Sequence, residues 1–570
     1  MRVGLSIESS YFIFLMTNRP HFFLKISTDL WKYQTDLTES DQNMKQERLY
    51  NNNNSIKLED PTGVMFATCQ AFTVGAVAPH VSYAIDFYQR LLQVQQQNVN
   101  NNNDDMIDYN SAIQPKSIQR VTGTTANLWD VHVAPQGMKE TLVYGTRKDR
   151  LRVFGHDDET NHQEPKRTVD PYRKQTEIIA VLGAGNYSGA KELIQALFYN
   201  NSVAVHKPHP LNANTDQIWA NRIFKPLVEV GALSFVGPDD GQALTTHPKV
   251  DRIYFTGGVP SAKQIQSATT IPIVCEAGGV NPIMIVPGER EWTDKELAHH
   301  AISLVSAGKY NGGHVCARPQ VLVTCQNWSQ RQAFLQHMEQ AIVHTTFAFD
   351  SYYPNSDQTY QQFAKVYGDK GQFLQPTDSD RTTSRVFWVP NDTPGGYGSK
   401  NEAFCQVFIE VPLDTAPTAA EFLPQATTYC NDQVTGTLLT GVIIDEVTKD
   451  KYQEILDQTI TDLHFGLIGI NTWAGAAFLS PYLYWGGNDQ PGQPLTSGNS
   501  DMGNLFGFER PEKTIVEDDF VSLGAFKFEN KACTAHLLDR LVKFNIYQSW
   551  WNLLQLMASA IRGMMYSKDW

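Results

Sequence analysis

The sequence lacks several features that would assign it to a particular class of protein. Its seven cysteines include no CxxC pair and no Cys/His spacing typical of a metal site, and their odd number argues against a disulfide framework. No apolar run approaches the roughly 18 residues that a membrane span needs. Lys and Arg are scattered and the net charge is −14, so nucleic acids and anionic membranes are not expected as main partners. We expect a metal-free protein of a reducing compartment, the cytoplasm, with the mitochondrion as the open alternative.

The chain is long enough for more than one lobe. It has 570 residues, of which 41% are hydrophobic and 19% charged, as in globular proteins. Residues 1–55 are predicted to form a poorly ordered extension, because Glu8 and two serines interrupt the apolar start and argue against a secretory signal. Two asparagine tracts, 51–54 and 100–103, are predicted to be surface loops, with an amphipathic helix over 76–95 between them.

Short apolar runs alternate with helical patterns from residue 178 onwards. The runs 178–182, 202–205, 233–236 and 252–255 are each followed by a turn, and three of these turns contain glycine. This alternation predicts a doubly wound parallel sheet, in which ligands bind at the carboxyl ends of the strands. A single glycine turn is equally well explained by loop geometry, whereas four polar strand ends in succession predict a nucleotide site.

The αβ pattern continues less regularly in the second half of the chain. A strand over 273–275 is followed by 283–286, which we expect to continue the same sheet, and by a helix over 295–307. Further strands are predicted at 321–324, 438–444 and 467–471. The tail, 535–561, is predicted to form two amphipathic helices that pack on this chain or on a second subunit, because the basic face opposite its apolar cluster is thin.

Three polar residues at strand ends and turns are candidates for catalysis. Cys316 follows the glycine-rich stretch 311–314 (NGGH), where a substrate carbonyl could approach a thiol closely. Glu276 follows a strand directly, and a partly desolvated carboxylate there could take a proton from water or thiol. Asn186 closes the first turn and could donate a side-chain N–H to an oxyanion. The plainer alternatives are an inert cysteine, a surface acid and an asparagine suited to a tight turn.

Five separated segments resemble motifs of the aldehyde dehydrogenase superfamily, in the family's order. Residues 276–282 (EAGGVNP) resemble the glutamate motif E-L-G-G-x-N-P, and residues 311–316 (NGGHVC) resemble the cysteine motif N-x-G-Q-x-C. The strand ending in KP at 207–208, the turn FTGG at 255–258 and the sequence EAF at 402–404 resemble three cofactor-binding motifs. We therefore identify the chain as a divergent member of this superfamily.

The resemblance implies oxidation of an aldehyde through a covalent intermediate. Cys316 would attack the carbonyl, with Asn186 and the backbone N–H of Cys316 stabilising the oxyanion. After hydride transfer to NAD or NADP, Glu276 would activate the water that releases the acid from the thioester. The resemblance also implies that the cofactor contacts Lys207, Gly241, Gly257, Gly258, Glu402 and Phe404.

The implied fold is α/β, with two doubly wound α/β lobes and a small bridging element. A Rossmann-type cofactor lobe would comprise 56–138 and 172–285, and a catalytic lobe 286–514. The bridging or oligomerisation element would comprise 139–171 and 515–530, followed by a helical tail over 531–570. We expect a homodimer or homotetramer that assembles through segments near 141–154 and 520–528, because exposed strand edges seldom stay unpaired.

The chain departs from the family at several positions. Its first turn reads GAGNYS over 183–188 where the family has P-W-N-F-P, so the shape of the substrate pocket is not inherited. Pro210 stands where NAD-preferring members have a glutamate, and Lys207 and His209 could pair with a 2′-phosphate, which favours NADP. Trp485 stands in the segment where the family has P-F-G-G.

Three other functions compete with aldehyde oxidation to an acid. In a CoA-linked acylating dehydrogenase of the same fold, CoA takes the acyl group in place of water, but such enzymes commonly lack the base at the position of Glu276. A non-catalytic member is a further alternative: the altered first turn permits it, but the retention of nucleophile, base and asparagine together argues against it. A simple cysteine hydrolase does not explain the nucleotide-type strand ends.

Overall fold

The computed structural model describes residues 19–52, 60–100, 114–158, 161–168, 175–490, 492–500 and 502–566. The apolar run near residue 11 and residues 53–54 and 101–103 of the asparagine tracts lie outside these residues. Asn51, Asn52 and Asn100, which were predicted to lie in loops, are instead at the ends of two helices. The strands are β1 Ser117–Arg120, β2 Leu128–Ala134, β3 Lys148–Phe154, β4 His156–Asp158, β5 Asn161–Gln163, β6 Ile178–Leu182, β7 Val203–Lys207, β8 Leu233–Phe235, β9 Arg252–Thr256, β10 Ile273–Glu276, β11 Asn281–Ile285, β12 Pro319–Cys325, β13 Gln372–Leu374, β14 Val386–Val389, β15 Val407–Leu413, β16 Leu439–Ile443, β17 Leu467–Ile470, β18 Tyr484–Trp485, β19 Met502–Gly503 and β20 Pro511–Glu517.

The helices alternate with these strands through most of the chain. They are α1 Arg19–Asn52, α2 Val64–Asn100, α3 Met138–Tyr144, α4 Ala190–Ile194, α5 Ala213–Ile218, α6 Lys225–Glu229, α7 Gly241–Thr245, α8 Val259–Ala268, α9 Asp294–Lys309, α10 Arg331–Gln340, α11 Ser356–Tyr367, α12 Tyr397–Lys400, α13 Ala419–Gln433, α14 Glu446–Lys451, α15 Gln453–Asp462, α16 Lys531–Tyr547 and α17 Trp550–Tyr566.

A five-stranded parallel sheet confirms the predicted Rossmann-type lobe. Its strand order is β10-β9-β6-β7-β8, and every neighbouring pair is parallel. The central strand β6 is almost entirely buried, as expected of a parallel strand covered on both faces. All five strands end at the same edge of the sheet, which brings the turns after Leu182, Lys207, Thr256 and Glu276 together.

The second lobe is built on an eleven-stranded sheet. Its order is β1-β2-β3-β20-β17-β16-β11-β12-β15-β14-β13. The strands from β20 to β14 run parallel to one another, whereas β13 at one end and β3, β2 and β1 at the other pair antiparallel. The two α/β lobes of the predicted fold class are therefore present.

Two predicted lobe boundaries and the position of one predicted strand are wrong. β11 pairs with β12 and β16 in the large sheet and does not continue the first one, because the chain leaves the first sheet through the glycine turn after Glu276. β1 and β2, assigned to the cofactor lobe, extend the large sheet through β3. The strand expected near 520–528 lies instead over 511–517, where it pairs with β3, and 520–528 contains no strand.

The segment predicted as a poorly ordered extension is largely a helix, so that prediction is wrong for residues 19–52. Ile26, Leu30 and Leu37 of α1 are buried where α1 packs on α2, and α2 packs in turn on α16. The sequence pattern did not reveal this because α1 also buries polar residues, including Asp41 and Lys45. The predicted pair of helices in the tail is confirmed as α16 and α17.

One described helix is long and apolar enough to cross a membrane. It lies over residues 64–94, within α2, and 78% of its most apolar stretch is buried inside the protein. Its neighbours α1, α4 and α16 cover it, which is the environment of a core helix.

Candidate functional site

The loop that carries Cys316 is shaped by three consecutive left-handed residues. Helix α9 begins with a capping box between Thr293 and Glu296 and ends at Lys309. Asn311, Gly312 and Gly313 then take φ values of 53°, 69° and 82°. A Cβ at Gly312 would lie 2.3 Å from the carbonyl oxygen of Asp350, and one at Gly313 would lie 2.6 Å from the backbone of Cys405. Both glycines are needed for this turn and for its close packing.

Cys316 differs from most of the other cysteines in its exposure. All seven lie in described residues; Cys316 and Cys533 are partly exposed and the other five are buried. Asn281 fixes the backbone of the loop by donating from Nδ2 to the carbonyl oxygen of Cys316 at 2.8 Å. Burial raises the pKa of the Cys316 thiol, and the charges of Glu276 and Glu402 raise it further. The backbone N–H groups of Cys316 and Ala317 act in the opposite direction, as donors to a thiolate.

Both carboxylate oxygens of Glu276 are hydrogen-bonded. The Trp485 indole N–H donates to Oε2 at 3.0 Å, and the Ser500 hydroxyl donates to Oε1 at 2.5 Å. Ser500 comes close because residues 497–499 run alongside the end of β10. The Ala277 N–H donates to the carbonyl oxygen of Ser497, and the Asn499 N–H donates to that of Cys275. Gly498 allows this approach: its φ is +89°, and a Cβ there would lie 1.9 Å from the carbonyl oxygen of Cys275. The Glu276 carboxylate is thus held by residues more than 200 positions further along the chain.

Lys191 and Glu192, in the first turn of α4, are both buried and both interact electrostatically with Glu276. The Lys191 ammonium donates to the carbonyl oxygen of Phe478 at 3.1 Å and lies 3.6 Å from the centroid of the Phe478 ring. Burial lowers the pKa of Lys191, while the charges of Glu276, Glu192 and Cys316 oppose that shift. Burial and the charge of Glu276 raise the pKa of Glu192, whose Oε2 is buried without a hydrogen bond. The sequence analysis missed both residues, which look like an ordinary helix start.

Asn186 and His314 join the first turn of the cofactor lobe to the cysteine loop. Asn186 Nδ2 donates to the carbonyl oxygen of His314 at 2.9 Å, which leaves its second N–H for another acceptor. His314 Nδ1 lies 2.7 Å from the carbonyl oxygen of Phe404, and its Nε2 accepts from the Tyr353 N–H at 3.2 Å. Burial lowers the pKa of His314 to about 3. His314 is therefore neutral, with the proton on Nδ1.

The predicted cofactor contacts of the first lobe lie at the carboxyl edge of its sheet. Lys207 ends β7, half-buried, and its side chain passes Gly241 at the start of α7. Gly257 and Gly258 follow β9, and Gly258 is the N-cap of α8, a ten-residue helix. A Cβ at Gly258 would have the Pro260 ring as its nearest neighbour, at 3.7 Å, so a phosphate could approach the first N–H groups of α8.

Glu402 and Phe404 come from the second lobe and face the glutamate motif. A Cβ at Gly278 would lie 2.0 Å from Oε1 of Glu402, so the carboxylate rests directly on this glycine. Oε1 is buried without a hydrogen bond, and burial raises the pKa of Glu402 to about 7. Phe404 has a φ of 46° and packs against His314 and Tyr353. An unsatisfied buried carboxylate oxygen of this kind fits a ligand hydroxyl.

Helix α1 reaches the turn after β7. A polar cavity of about 750 Å³ is lined by Pro210, by Arg48 of α1 and by the acids Asp36, Glu39 and Glu47 of the same helix. Burial and the charges of Lys207 and Arg48 lower the pKa of His209 to about 4, so His209 is neutral at pH 7. Among the described residues, no group of three or more His, Cys, Asp or Glu side chains is placed to hold a metal ion.

Part of the chain is similar to a known family. A family model described as "Aldehyde dehydrogenase family" matches residues 186–350, which include Asn186, Glu276 and Cys316. The chain is 25% identical over 155 residues to N-succinylglutamate 5-semialdehyde dehydrogenase of Novosphingobium aromaticivorans and 27% identical over 157 residues to 2-aminomuconic semialdehyde dehydrogenase of Bos taurus. Each match covers 26% of this chain, and 31% and 30% of the relatives' lengths.

Solved structures of aldehyde dehydrogenases share the fold over most of the chain. A putative aldehyde dehydrogenase of Burkholderia cenocepacia has a TM-score of 0.55 at 14% identity, covering 88% of this chain and 87% of that one. A mutant of aldehyde dehydrogenase C of Pseudomonas syringae, in complex with NAD+ and octanal, has a TM-score of 0.56 at 14% identity, covering 88% and 84%. The likeness extends well beyond the matched motifs, so the chain has the two-lobed fold of these structures.

Proposed function

We propose that this aldehyde dehydrogenase family member oxidises an aldehyde to the carboxylic acid, with Cys316 as nucleophile and Glu276 as general base. The observation that carries the proposal is the convergence of the two lobes: Glu276 at the end of β10 and Glu402 before β15 both act on the thiol of Cys316. Two acids around one partly exposed thiol serve no evident structural purpose. Carboxylates beside a reactive thiol are suited to accept protons during a reaction.

The reaction balances with these residues. The partly exposed Cys316 thiol first gives its proton to solvent water. The thiolate then forms a C–S bond to the carbonyl carbon, and the second N–H of Asn186 and the backbone N–H of Cys316 stabilise the oxyanion. A nicotinamide cofactor, when bound, supplies the acceptor for the hydride that leaves as the thioester forms. Glu276 then removes a proton from water, the hydroxide adds to the thioester carbon, and the C–S bond breaks with release of the thiolate and the acid.

We infer that the residues at the sheet edge hold NAD or NADP. Lys207 would bind the adenosine ribose, the N–H groups after Gly258 the pyrophosphate, and the unsatisfied oxygen of Glu402 a ribose hydroxyl. A modest preference for NADP is supported by Pro210, which brings no carboxylate, and by Lys207 and Arg48, which both act on His209. The acids that α1 places in the same cavity reduce this preference. We expect kcat/KM for NADP to be within a few-fold of that for NAD or above it, and a tenfold preference for NAD would contradict the inference.

The deciding experiment is turnover of an aldehyde panel with both cofactors. Cys316→Ala is expected to abolish activity, whereas Cys533→Ala, which removes the other partly exposed thiol, is expected to retain it. Equal activity in the two variants would overturn the assignment of Cys316. No activity of the wild-type protein with any aldehyde would instead support a non-catalytic member.

The acceptor of the acyl group is tested separately. The retained Glu276, held by Trp485 and Ser500, supports water as the acceptor. Added CoA is therefore expected to leave turnover unchanged and to give no acyl-CoA; faster turnover with acyl-CoA as product would favour the CoA-linked reaction. The homodimer or homotetramer and the cytoplasmic location stay predictions, to be checked by mass photometry and cell fractionation.

A further inference from the structure

The side chain of Tyr353 lies where the two lobes meet, against the first turn of the five-stranded sheet. A Cβ added to Gly185 in that turn would clash with the Tyr353 hydroxyl and would lie 2.8 Å from Cε1 of His209. The turn motif P-W-N-F-P of the family has tryptophan directly before the asparagine, where this chain has Gly185. An aromatic ring therefore reaches this place from the second lobe instead of from the turn itself.

The ring and the backbone of Tyr353 are both fixed by the second lobe. The ring centroid lies 5.4 Å from that of His314 in the cysteine loop and 5.1 Å from that of Phe404. The backbone N–H of Tyr353 donates to His314 Nε2 at 3.2 Å. The hydroxyl is thus held in one position across from Gly185, although neither the ring contacts nor the backbone bond involve it.

The hydroxyl of Tyr353 makes no hydrogen bond with any residue that the structure describes, and the side chain is only partly exposed. Tyrosine hydroxyls in such surroundings usually have a partner. Burial raises the pKa of Tyr353, the charge of Arg48 opposes this shift and that of Glu402 adds to it. The hydroxyl therefore stays protonated at neutral pH and offers one unused donor in the cleft.

The position of this donor corresponds to the middle of a dinucleotide lying across the cleft. One end of the cleft is marked by Lys207 and His209 after β7, and the other by the unpartnered Oε1 of Glu402. The Tyr353 hydroxyl borders the same point as His209 and is within electrostatic reach of both Glu402 and Arg48. Between its two ribose groups a dinucleotide carries its pyrophosphate, an anion that favours an O–H donor with a cation nearby.

We propose that Tyr353 is a further cofactor-binding residue, whose hydroxyl donates to a pyrophosphate oxygen of NAD or NADP. The inference rests on the proposed use of these cofactors. The first N–H groups of α8 bind the same pyrophosphate from the first lobe. Tyr353 adds a contact from the second lobe, so the two lobes hold the middle of the cofactor between them.

Equilibrium binding of NADH and NADPH to the full chain, measured by isothermal titration calorimetry, tests the proposal without turnover. Tyr353→Phe keeps the ring against His314 and Phe404 and removes only the hydroxyl. Its Kd is expected to rise about tenfold, the effect of losing one hydrogen bond to a charged group. The matched control Tyr452→Phe, also at a partly exposed tyrosine, removes a hydroxyl that bonds Glu289 and is expected to leave Kd unchanged.

Two smaller probes separate the pyrophosphate from the rest of the cofactor. ADP carries a pyrophosphate and adenosine carries none, so Tyr353→Phe is expected to weaken the binding of ADP and to leave that of adenosine unchanged. An equal loss for adenosine would overturn the proposal, because it would show a general defect of the cleft. Tighter binding of the cofactors by Tyr353→Phe would also overturn it, because the hydroxyl would then obstruct the cleft.

The inference and the proposed function fail in different ways. If the wild-type protein bound neither NADH nor NADPH, the use of these cofactors would be wrong and the role of Tyr353 with it. If the wild-type protein bound them and Tyr353→Phe bound them equally well, only the role of Tyr353 would be wrong. Thermal melting of both variants shows that a change in Kd does not come from unfolding.

Discussion

The indole N–H of Trp485 donates a 3.0 Å hydrogen bond to Oε2 of Glu276, across 209 positions of sequence. Trp485 belongs to the short strand β18, which pairs with β19, and Phe478 packs edge-on against its ring. The tryptophan thus links the second lobe to the last residue of β10 in the five-stranded sheet. It stabilises the ionised form of the proposed base and keeps the carboxylate in one orientation.

Trp485→Phe keeps a ring in place and removes the donor. A hydrogen bond to a charged group contributes about 1.5 kcal/mol or more, so kcat is expected to fall roughly tenfold. If Glu276 acts on the thioester, the pre-steady-state burst of reduced cofactor persists in the variant; loss of the burst would place the defect in the first step. Trp388→Phe removes a similar indole bond, to Glu339, far from Glu276, and is expected to leave kcat unchanged.

Lys191 is expected to act as a positioning residue through its charge. In Lys191→Met the cluster of Glu276, Glu192 and Cys316 loses its neighbouring cation. The pH profile of kcat/KM is then expected to move to higher pH by roughly one unit, because the thiolate and the carboxylates become harder to form. Lys191→Arg should restore the profile if charge is the cause. A profile that is unchanged in both variants would assign Lys191 a purely structural role.

The thiol of Cys316 is expected to react slowly at neutral pH. Burial and the charges of Glu276 and Glu402 raise its pKa above the ordinary value of 9.0, and a raised pKa means less thiolate at any pH below it. The rate constant for alkylation by iodoacetamide should therefore rise about tenfold per pH unit from 7 to 9 without a plateau. Glu276→Gln removes one negative charge and should speed alkylation at pH 8; slower alkylation would contradict this account. In the Cys316→Ala variant the remaining alkylation measures the background reaction of Cys533.

His314 is expected to position the cysteine loop without titrating. Its pKa near 3 keeps it neutral from pH 5 to 9, so it should add no step to the pH profile in that range. Glutamine also offers one donor and one acceptor, and His314→Gln should retain most activity. His314→Leu leaves the Phe404 carbonyl and the Tyr353 N–H without partners, with an expected loss of about 1–3 kcal/mol in the free energy of unfolding. Thermal melting measures the loss of stability, and turnover measured on the same variants measures the loss of activity.

Helix α1 is expected to be an integral part of the fold. Lys45 and Asp41 form a buried ion pair at 2.7 Å, with side chains exposed by only 9% and 4%. Lys45→Met leaves Asp41 buried and unpaired, which should lower the free energy of unfolding by about 3 kcal/mol. Arg90→Met breaks the exposed ion pair with Asp86 and should change the free energy of unfolding by less than about 1 kcal/mol. Equal stability of the two variants in urea titrations would show that α1 does not contribute to the stability of the fold.

Local sequence patterns were sufficient to predict strands whose burial is visible in their own residues. The apolar runs that became β6 and β7 are parallel strands buried on both faces, so each reads as a continuous hydrophobic stretch. The same holds for β16 and β17 in the second lobe. The runs that became β8 and β9 are partly exposed but still predominantly apolar. By contrast, α1 was missed because its buried, paired polar residues cannot be distinguished in the sequence from solvent-exposed ones.

The sequence by itself determined the alternating αβ order, the superfamily motifs and the candidates Cys316, Glu276 and Asn186. Only the tertiary structure decided which sheet β11 and β20 join, and which residues surround Glu276. The contacts of Trp485, Ser500 and Lys191 with Glu276 carry no local signal, since a hydrogen bond or a charge interaction across 85 to 224 positions depends on chain crossings that periodicity does not encode. The exposure of α17 was decided in the same way: its apolar residues are visible in sequence, but which face the protein covers follows from packing alone.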